Sequence, residues 1–143
     1  MSAELKVGRH TVRLEDDTLY LAVNGSMDLG ETITVHREIE KILTQLRRVF
    51  IIVDNRSGSG ITPESRRWIG EWNRQHKASG VAVFGNTGAT GRALIAIVFA
   101  VIRIFRKDAL PLVWVKGEAE ARAWIAAERN KLLQSRGSHP PAP

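Results

Sequence analysis

The sequence predicts one α/β domain in which four helices pack against a mixed β-sheet of about five strands. Three observations lead to this class. The chain has 143 residues, which suits a single domain. Short runs of β-branched residues alternate with segments of helical periodicity, and capping residues or glycines separate them. The resulting order, β-β-α-β-α-β-α-β-α, is typical of a sheet covered by helices.

The N-terminal third predicts a β-hairpin followed by a helix. Apolar and polar residues alternate over residues 6–14 and 18–24, and an acidic turn joins the two segments. Asp28 then stands three residues before Glu31, which is the spacing of a capping box. We therefore expect a helix from Asp28 to residues 47–48, whose two arginines complement the dipole at its C-terminal end.

The middle of the chain predicts two buried strands on either side of a second helix. Residues 49–53 and 81–84 are continuous apolar runs, short enough for strands that are covered on both faces. A polar, glycine-rich loop at 55–60 is expected to end the first run. Thr62 followed by Pro63 is a strong helix start, because threonine caps and proline suits the first helical position.

The last third predicts two more helices and a strand. A glycine-containing loop leads into an apolar helix over residues 92–107, and a strand at 110–115 precedes a closing helix at 117–134. Beyond this point the chain is rich in proline and small residues. We therefore expect residues 1–134 to form the domain and residues 135–143 to be a disordered tail.

Composition excludes several classes of function. The chain has no cysteine, which rules out disulfides, thiol nucleophiles and cysteine-based zinc sites. Its four histidines lie on different predicted elements without ligand spacing, so we expect no metal and no cofactor. No signal-peptide pattern is present, and the most apolar run, residues 93–105, is too short to span a bilayer. We expect a cytoplasmic protein, and a peripheral location at the membrane is compatible with this expectation.

The charge is unevenly distributed and indicates an anionic partner. The net charge is +6, but residues 1–72 carry −1 and residues 73–143 carry +7. Clustered positive charge raises the rate of encounter with nucleic acid, phospholipid or an acidic protein surface. Nucleic acid is not expected to be the partner, because the chain has few aromatic residues and no nucleic-acid motif. A solvated basic face is the simpler alternative.

The sequence contains no convincing catalytic motif, and we expect no catalytic residue. The spacing of Gly85, Gly88 and Gly91 resembles a phosphate-binding loop, but it follows the wrong strand for a dinucleotide fingerprint and lacks the lysine of a P-loop. A nonspecific anion site using Arg92 stays open. The serines have no nucleophile-elbow context.

Asp54 ends a predicted strand at the place where α/β sheets hold ligands, and we expect it to face the Thr62 helix start. Hydrogen bonding to the loop backbone is an equally good explanation of this aspartate.

The predicted helix at 92–107 is the most informative feature. One of its faces is purely apolar and suits packing on the sheet. The other combines cations with apolar side chains, an arrangement that suits an anionic membrane surface, an apolar ligand or a dimer interface. The candidate binding residues are Arg92, Ile95, Phe99, Ile102, Arg103, Arg106 and Lys107.

The ordered elements resemble the STAS superfamily, and specifically its SpoIIAA-like, STAS/Sec14-related branch. The resemblance covers residues 19–127. It depends on the order of four segments: Ile51-Ile52-Val53-Asp54, then Gly60 to Trp68, then Thr90-Gly91-Arg92-Ala93-Leu94, and finally Glu118 to Ile125. The last of these, with alternating Glu and Ala before Trp-Ile, is similar to the closing helix of the branch.

The resemblance implies a STAS-like fold and a non-enzymatic module for regulated binding. In anti-sigma factor antagonists, a serine at the start of the helix after the third strand is phosphorylated by a partner kinase. The matching stretch here is 62–65, and Glu64 occupies the phosphoacceptor position; Thr62 and Ser65 are the nearby hydroxyls. The Sec14-related branch is instead associated with a hydrophobic pocket and a mobile apolar helix.

Two hypotheses follow from these observations. The first is a STAS-type binding protein whose helix at 92–107 engages an apolar ligand or an anionic membrane surface. The alternative is a signalling protein of the anti-sigma antagonist type, which binds a regulatory protein through the surface around Asp54, Thr62, Glu64 and Ser65. A homodimer is compatible with both. A small enzyme using the loop at 85–91 is a third class and would require a bound nucleotide.

Overall fold

A computed structural model of the protein describes residues 2–85 and 111–137. Within these ranges six strands form one sheet and lie side by side in chain order. The elements are β1 (Ser2–Val7), β2 (His10–Glu15), β3 (Thr18–Met27), α1 (Leu29–Leu46), β4 (Phe50–Ile61), α2 (Pro63–Gln75), β5 (Gly80–Phe84), β6 (Leu112–Val115) and α3 (Glu118–Gly137). The mixed α/β class is confirmed, with six strands where about five were predicted. Three helices lie in the described ranges, and the predicted helix at 92–107 falls outside them.

Strand direction divides the sheet into two parts. β1, β2 and β3 form an antiparallel meander, whereas β3, β4, β5 and β6 run parallel to one another. Because parallel strands share a direction, their carboxyl ends lie at one edge of the sheet. The three helices begin there, and we call this side the carboxyl edge.

The predicted first strand, residues 6–14, is wrong: the segment contains a turn. β1 ends at Val7 and β2 begins at His10, and Gly8 between them has a φ of +60°. A left-handed residue breaks a strand, and glycine adopts that conformation without steric cost. The predicted hairpin is formed by β2 and β3, which are joined by the acidic turn.

The predicted loop at 55–60 is also wrong, because β4 continues through it to Ile61. The extension pairs with the second half of β3, and the register shifts between Ala22 and Asn24 and again between Gly25 and Ser26. Serine and glycine favour turns locally, but a long parallel partner supplies backbone hydrogen bonds that outweigh this preference. The register shifts accommodate the extra residues as bulges.

The helix starts follow the predicted caps. Asp28 accepts a hydrogen bond from the Glu31 backbone N–H at 2.8 Å, and Glu31 accepts one from the Asp28 backbone N–H at 3.0 Å, which completes the capping box. α1 ends at Leu46, and the residue that caps it, Arg47, has a φ of +58°. Thr62 caps α2 with Pro63 in the first turn, as predicted.

The sheet has a separate apolar cluster on each face. One cluster lies under α1 and α2 and includes Val35, Ile39, Trp72 and Val83. The other lies under α3 and is built from Tyr20, Phe50, Ile52, Ala82, Phe84, Ala121 and Ile125. Alternate residues of β4 and β5 contribute to opposite clusters, which is the side-chain period of a strand buried on both faces.

The last helix extends farther than the sequence predicts. α3 continues through Ser135 and Arg136 to Gly137, so the first residues of the predicted tail are helical. In the described ranges no helix is both long and apolar enough to cross a membrane.

Candidate functional site

The carboxyl edge holds a buried aspartate that is surrounded by hydrogen-bond donors. Asp54 is 7% exposed. It accepts hydrogen bonds from Tyr20 Oη at 2.9 Å, from Arg56 Nε at 2.9 Å and Arg56 Nη2 at 2.7 Å, and from the Arg56 backbone N–H at 3.1 Å. Burial opposes ionisation of this carboxyl, but the hydrogen bonds from Arg56 and Tyr20 outweigh it and keep the Asp54 pKa below its usual value.

Tyr20 connects this aspartate to the first turn of α3. Its hydroxyl also lies 3.2 Å from Glu118 Oε1, so two carboxylates meet at one phenol oxygen. Arg13 and Arg122 lie over the ring at 4.2 Å and 5.6 Å from its centroid. Burial, together with hydrogen bonding to Asp54, raises the Tyr20 pKa well above its usual value, so the phenol stays protonated as a donor.

The charges around Tyr20 are paired with one another. Arg122 donates to Glu15 Oε1 at 2.8 Å and to Glu118 Oε2 at 2.9 Å, while Arg56 is paired with Asp54. Charged groups that pair with one another around a buried phenol and a buried aspartate favour one arrangement of the chain. The cluster therefore fixes the start of α3 on the sheet.

The start of α2 has a different chemistry. Thr62 Oγ1 accepts a hydrogen bond from the Ser65 backbone N–H at 3.3 Å, and the two hydroxyl oxygens are 2.8 Å apart. Ser65 is fully buried, whereas Pro63 and Glu64 are exposed. Glu64 therefore places a carboxylate at the positive end of the helix dipole, where negative charge is stabilised.

This fold is shared with solved structures, among them the following two. An uncharacterized DUF3478-family protein with a SpoIIAA-like fold from Shewanella loihica PV-4 is 12% identical, with a TM-score of 0.56 over 87% of this chain and 91% of that one. The anti-sigma factor antagonist SpoIIAA in its unphosphorylated form is 13% identical, with a TM-score of 0.53 over 88% and 98% of the two chains. This chain has a SpoIIAA-like fold. The sequence matches no protein-family model and no curated protein.

The SpoIIAA-like fold confirms the STAS resemblance at the level of architecture. It does not bring the predicted partner-binding residues together. Asp54 belongs to the face covered by α3, through its bond to Tyr20, whereas α2 packs on the opposite face. The expectation that Asp54 faces the Thr62 helix start is therefore wrong. The reason is that β4 runs on for seven residues beyond Asp54 before α2 begins.

The other predicted site falls outside the described residues of the SpoIIAA-like fold. This applies to the whole candidate set for ligand or membrane binding: Arg92, Ile95, Phe99, Ile102, Arg103, Arg106 and Lys107. Of the three glycines in the loop motif, only Gly85 is described. Its φ is +128°, and a Cβ there would lie 2.5 Å from the carbonyl carbon of Asn55, so its role is close packing against β4.

Sequence reasoning missed the partners of Asp54. Tyr20 is 34 residues away along the chain, and Glu118 is 98 residues from Tyr20. Tyr20 belongs to no motif, Glu118 was identified only as the start of the closing-helix segment, and no local spacing connects either residue to Asp54. Across residues 2–85 and 111–137, no group of three or more histidine, aspartate or glutamate side chains is placed to hold a metal ion.

Proposed function

We propose that this chain is a non-enzymatic binding module of the STAS type, which acts by contact with a regulatory protein at the start of α2. One observation carries the proposal: Pro63 and Glu64 stand exposed at a capped helix start, with the buried Ser65 hydroxyl behind them. One protein with this fold, SpoIIAA, is an anti-sigma factor antagonist. We carry over that mode of action, binding to a regulatory protein, to this chain.

In this proposal Glu64 supplies a permanent negative charge where a switchable protein would carry phosphate. A carboxylate at a helix N-terminus provides part of the charge of a phosphate group. Ser65 is poorly placed to accept a phosphate group, because its hydroxyl is buried and hydrogen-bonded to the Thr62 hydroxyl. The contact is therefore constitutive. Asp54 supports it indirectly, since its bonds to Tyr20 and Arg56 fix the strand that leads to Thr62.

Affinity purification from the native cells tests this proposal. We expect a specific protein to be retained by the wild-type chain and lost with Glu64→Lys. Glu71→Lys is the matched control, because it makes the same charge change on an exposed residue two turns farther along α2. Capture that does not depend on residue 64, or phosphate on Ser65 in the intact protein, would contradict the proposal.

A second candidate function is supported by the charge of the chain. The net charge of +7 lies in residues 73–143, and the apolar run at 93–105 is bordered by arginines. We propose that the segment 92–107 engages an apolar ligand or an anionic membrane surface, since burial of hydrocarbon and attraction to lipid headgroups act together. The nearest described strands before and after it, β5 and β6, are adjacent and parallel in the sheet.

Cosedimentation with vesicles separates the two functions. We expect binding to phosphatidylserine-containing vesicles at low salt, little binding to neutral ones, and a loss of binding when Arg103 and Arg106 are changed to Glu. The double variant Arg37→Glu and Arg67→Glu is the control, since it makes the same charge change at exposed positions of α1 and α2. The membrane function is excluded if no binding occurs at low salt or if the arginine changes have no effect. Glu64→Lys should leave vesicle binding intact.

A further inference from the structure

The outermost strand of the meander has one hydrogen-bonding edge without a partner among the described residues. β1 pairs with β2 on one side and lies at the end of the sheet. Exposed edge strands can pair with a further strand, and proteins commonly prevent this by placing a lysine on the edge. β1 contains such a lysine, Lys6, but it also contains Glu4, and the two flank an exposed leucine.

The side chains of β1 divide cleanly between its two faces. Leu5 lies opposite Val12 of β2, whose side chain is buried in the cluster under α1, so Leu5 lies on the α1 side. It is 37% exposed and is one of three large apolar side chains that stand exposed in the described part of the chain. Glu4 and Lys6 lie on the other face, because side chains alternate along a strand.

We propose that β1 pairs antiparallel with β1 of a second copy of this chain, with the two-fold axis at Leu5. In this register Leu5 lies opposite Leu5 of the second copy, and each Glu4 lies opposite a Lys6. An isologous contact of this kind is self-complementary. It buries two exposed leucines against each other, forms two opposite-charge pairs and gives a partner to the backbone edge that has none in residues 2–85 and 111–137.

Neighbouring registers that keep the two faces aligned are electrostatically unfavourable. Moving the axis by one residue to Glu4 places two glutamates opposite each other, and moving it to Lys6 places two lysines opposite each other. Like charges directly across a pair of strands are destabilising. Lys6 already donates to Thr11 Oγ1, which leaves two ammonium protons for the glutamate of the second copy. The charge pattern thus favours the register with its axis at Leu5 over both neighbouring registers.

Charge-reversal variants analysed by sedimentation equilibrium test this interface. We expect a weak dimer, since the contact is small. Glu4→Lys and Lys6→Glu should each raise the dimer dissociation constant by about tenfold, because each replaces two attractive pairs by two repulsive ones. The double variant, with both charges exchanged, should restore wild-type association. An equimolar mixture of the two single variants, one of them isotope-labelled, should form the mixed dimer in native mass spectrometry.

Arg9→Glu is the matched control, because it makes a comparable charge change in the adjacent turn, outside β1. It should leave association unchanged, and circular dichroism should show that every variant is folded. A chain that stays monomeric overturns the proposal and identifies Lys6 as a guard against association. A dimer that neither single variant weakens overturns it as well, because its interface must lie elsewhere. Failure of this test leaves the proposed function unaffected, because that function depends on α2.

Discussion

The side chain of Asp17 joins three segments of the fold through its hydrogen bonds with two arginines. It lies in the turn between β2 and β3, and its side chain is 4% exposed. Arg48, just beyond α1, donates to Oδ2 at 2.8 Å, and Arg129 of α3 donates to Oδ1 at 2.7 Å. One carboxylate therefore connects the hairpin to segments on both faces of the sheet. Burial opposes its ionisation, but the two arginines outweigh burial and lower the Asp17 pKa to about 2.

The lowered pKa predicts acid-sensitive stability with a defined sign. Because the folded pKa lies below the unfolded value of 3.8, the contribution is fully present above about pH 4 and is lost as the pH falls towards about 2. Its size is about 2 kcal/mol. We expect Asp17→Asn to lose at least this much at pH 7 in urea unfolding and to show a flatter dependence on pH below 4.

The control for this prediction is Asp16→Asn, at the exposed neighbouring position. Asp16 has a φ of +55°, and asparagine tolerates that conformation. The control should change stability by only a fraction of the Asp17→Asn effect. An equal loss in both variants would mean that the turn, and not the ion pairs, carries the stability.

At the scale of elements, α1 and α2 are joined by an aromatic seam. The His36 ring lies edge-on to Trp68 at 5.1 Å and to Trp72 at 4.9 Å, and His76 stacks on Trp72 at 4.6 Å. The Trp72 indole N–H donates to Glu40 at 2.7 Å. His36 Nδ1 lies 2.8 Å from the Thr32 carbonyl, which can only accept, so Nδ1 carries a proton. The seam thus holds His36 between two tryptophans.

This seam predicts a histidine that resists protonation. Burial lowers the His36 pKa below 6.5, despite the opposing hydrogen bond to Thr32 and the nearby Glu40. In the unfolded chain His36 takes up its proton at a higher pH than in the folded protein, so its contribution to stability is present at neutral pH and is lost on acidification below about 6.5. NMR titration of the His36 ring should give a midpoint below that of an exposed histidine. A midpoint at or above 6.5 contradicts the buried seam.

Elements were predictable from sequence where the deciding contacts are local. The starts of α1 and α2 were correct, because Asp28 and Thr62 cap helices within three residues of themselves. The predicted end of β4 was wrong, because the length of this strand depends on its pairing with β3, which is distant in sequence. The candidate site fails for the same reason: Asp54 was identified from its position in a strand, but its orientation depends on Tyr20 and on where α2 begins.

At the scale of the whole molecule, the two faces of the sheet are held by different forces. The α1 and α2 face is an apolar cluster. α3 contributes fewer buried apolar side chains, chiefly Ala121 and Ile125, and adds ion pairs along its length. The pairs of Arg122 with Glu15 and with Glu118 are 2.8 Å and 2.9 Å long, and both are partly exposed. Salt screens partly exposed ion pairs and leaves apolar contacts intact, so the two faces should respond differently to ionic strength.

Hydrogen exchange measured at low and at molar salt tests this asymmetry. We expect amide exchange in α3 to accelerate by about fivefold at 1 M NaCl, since partly exposed pairs contribute up to about 1 kcal/mol each, while exchange in α1 stays unchanged. Arg122→Gln should accelerate α3 at low salt and remove most of its salt response. Arg67→Gln, at an exposed position of α2, should change neither the exchange rate of α3 at low salt nor its response to salt. If α3 and α1 instead exchange at one common rate in both salts, α3 opens only when the whole domain unfolds, and its ion pairs do not set its local stability.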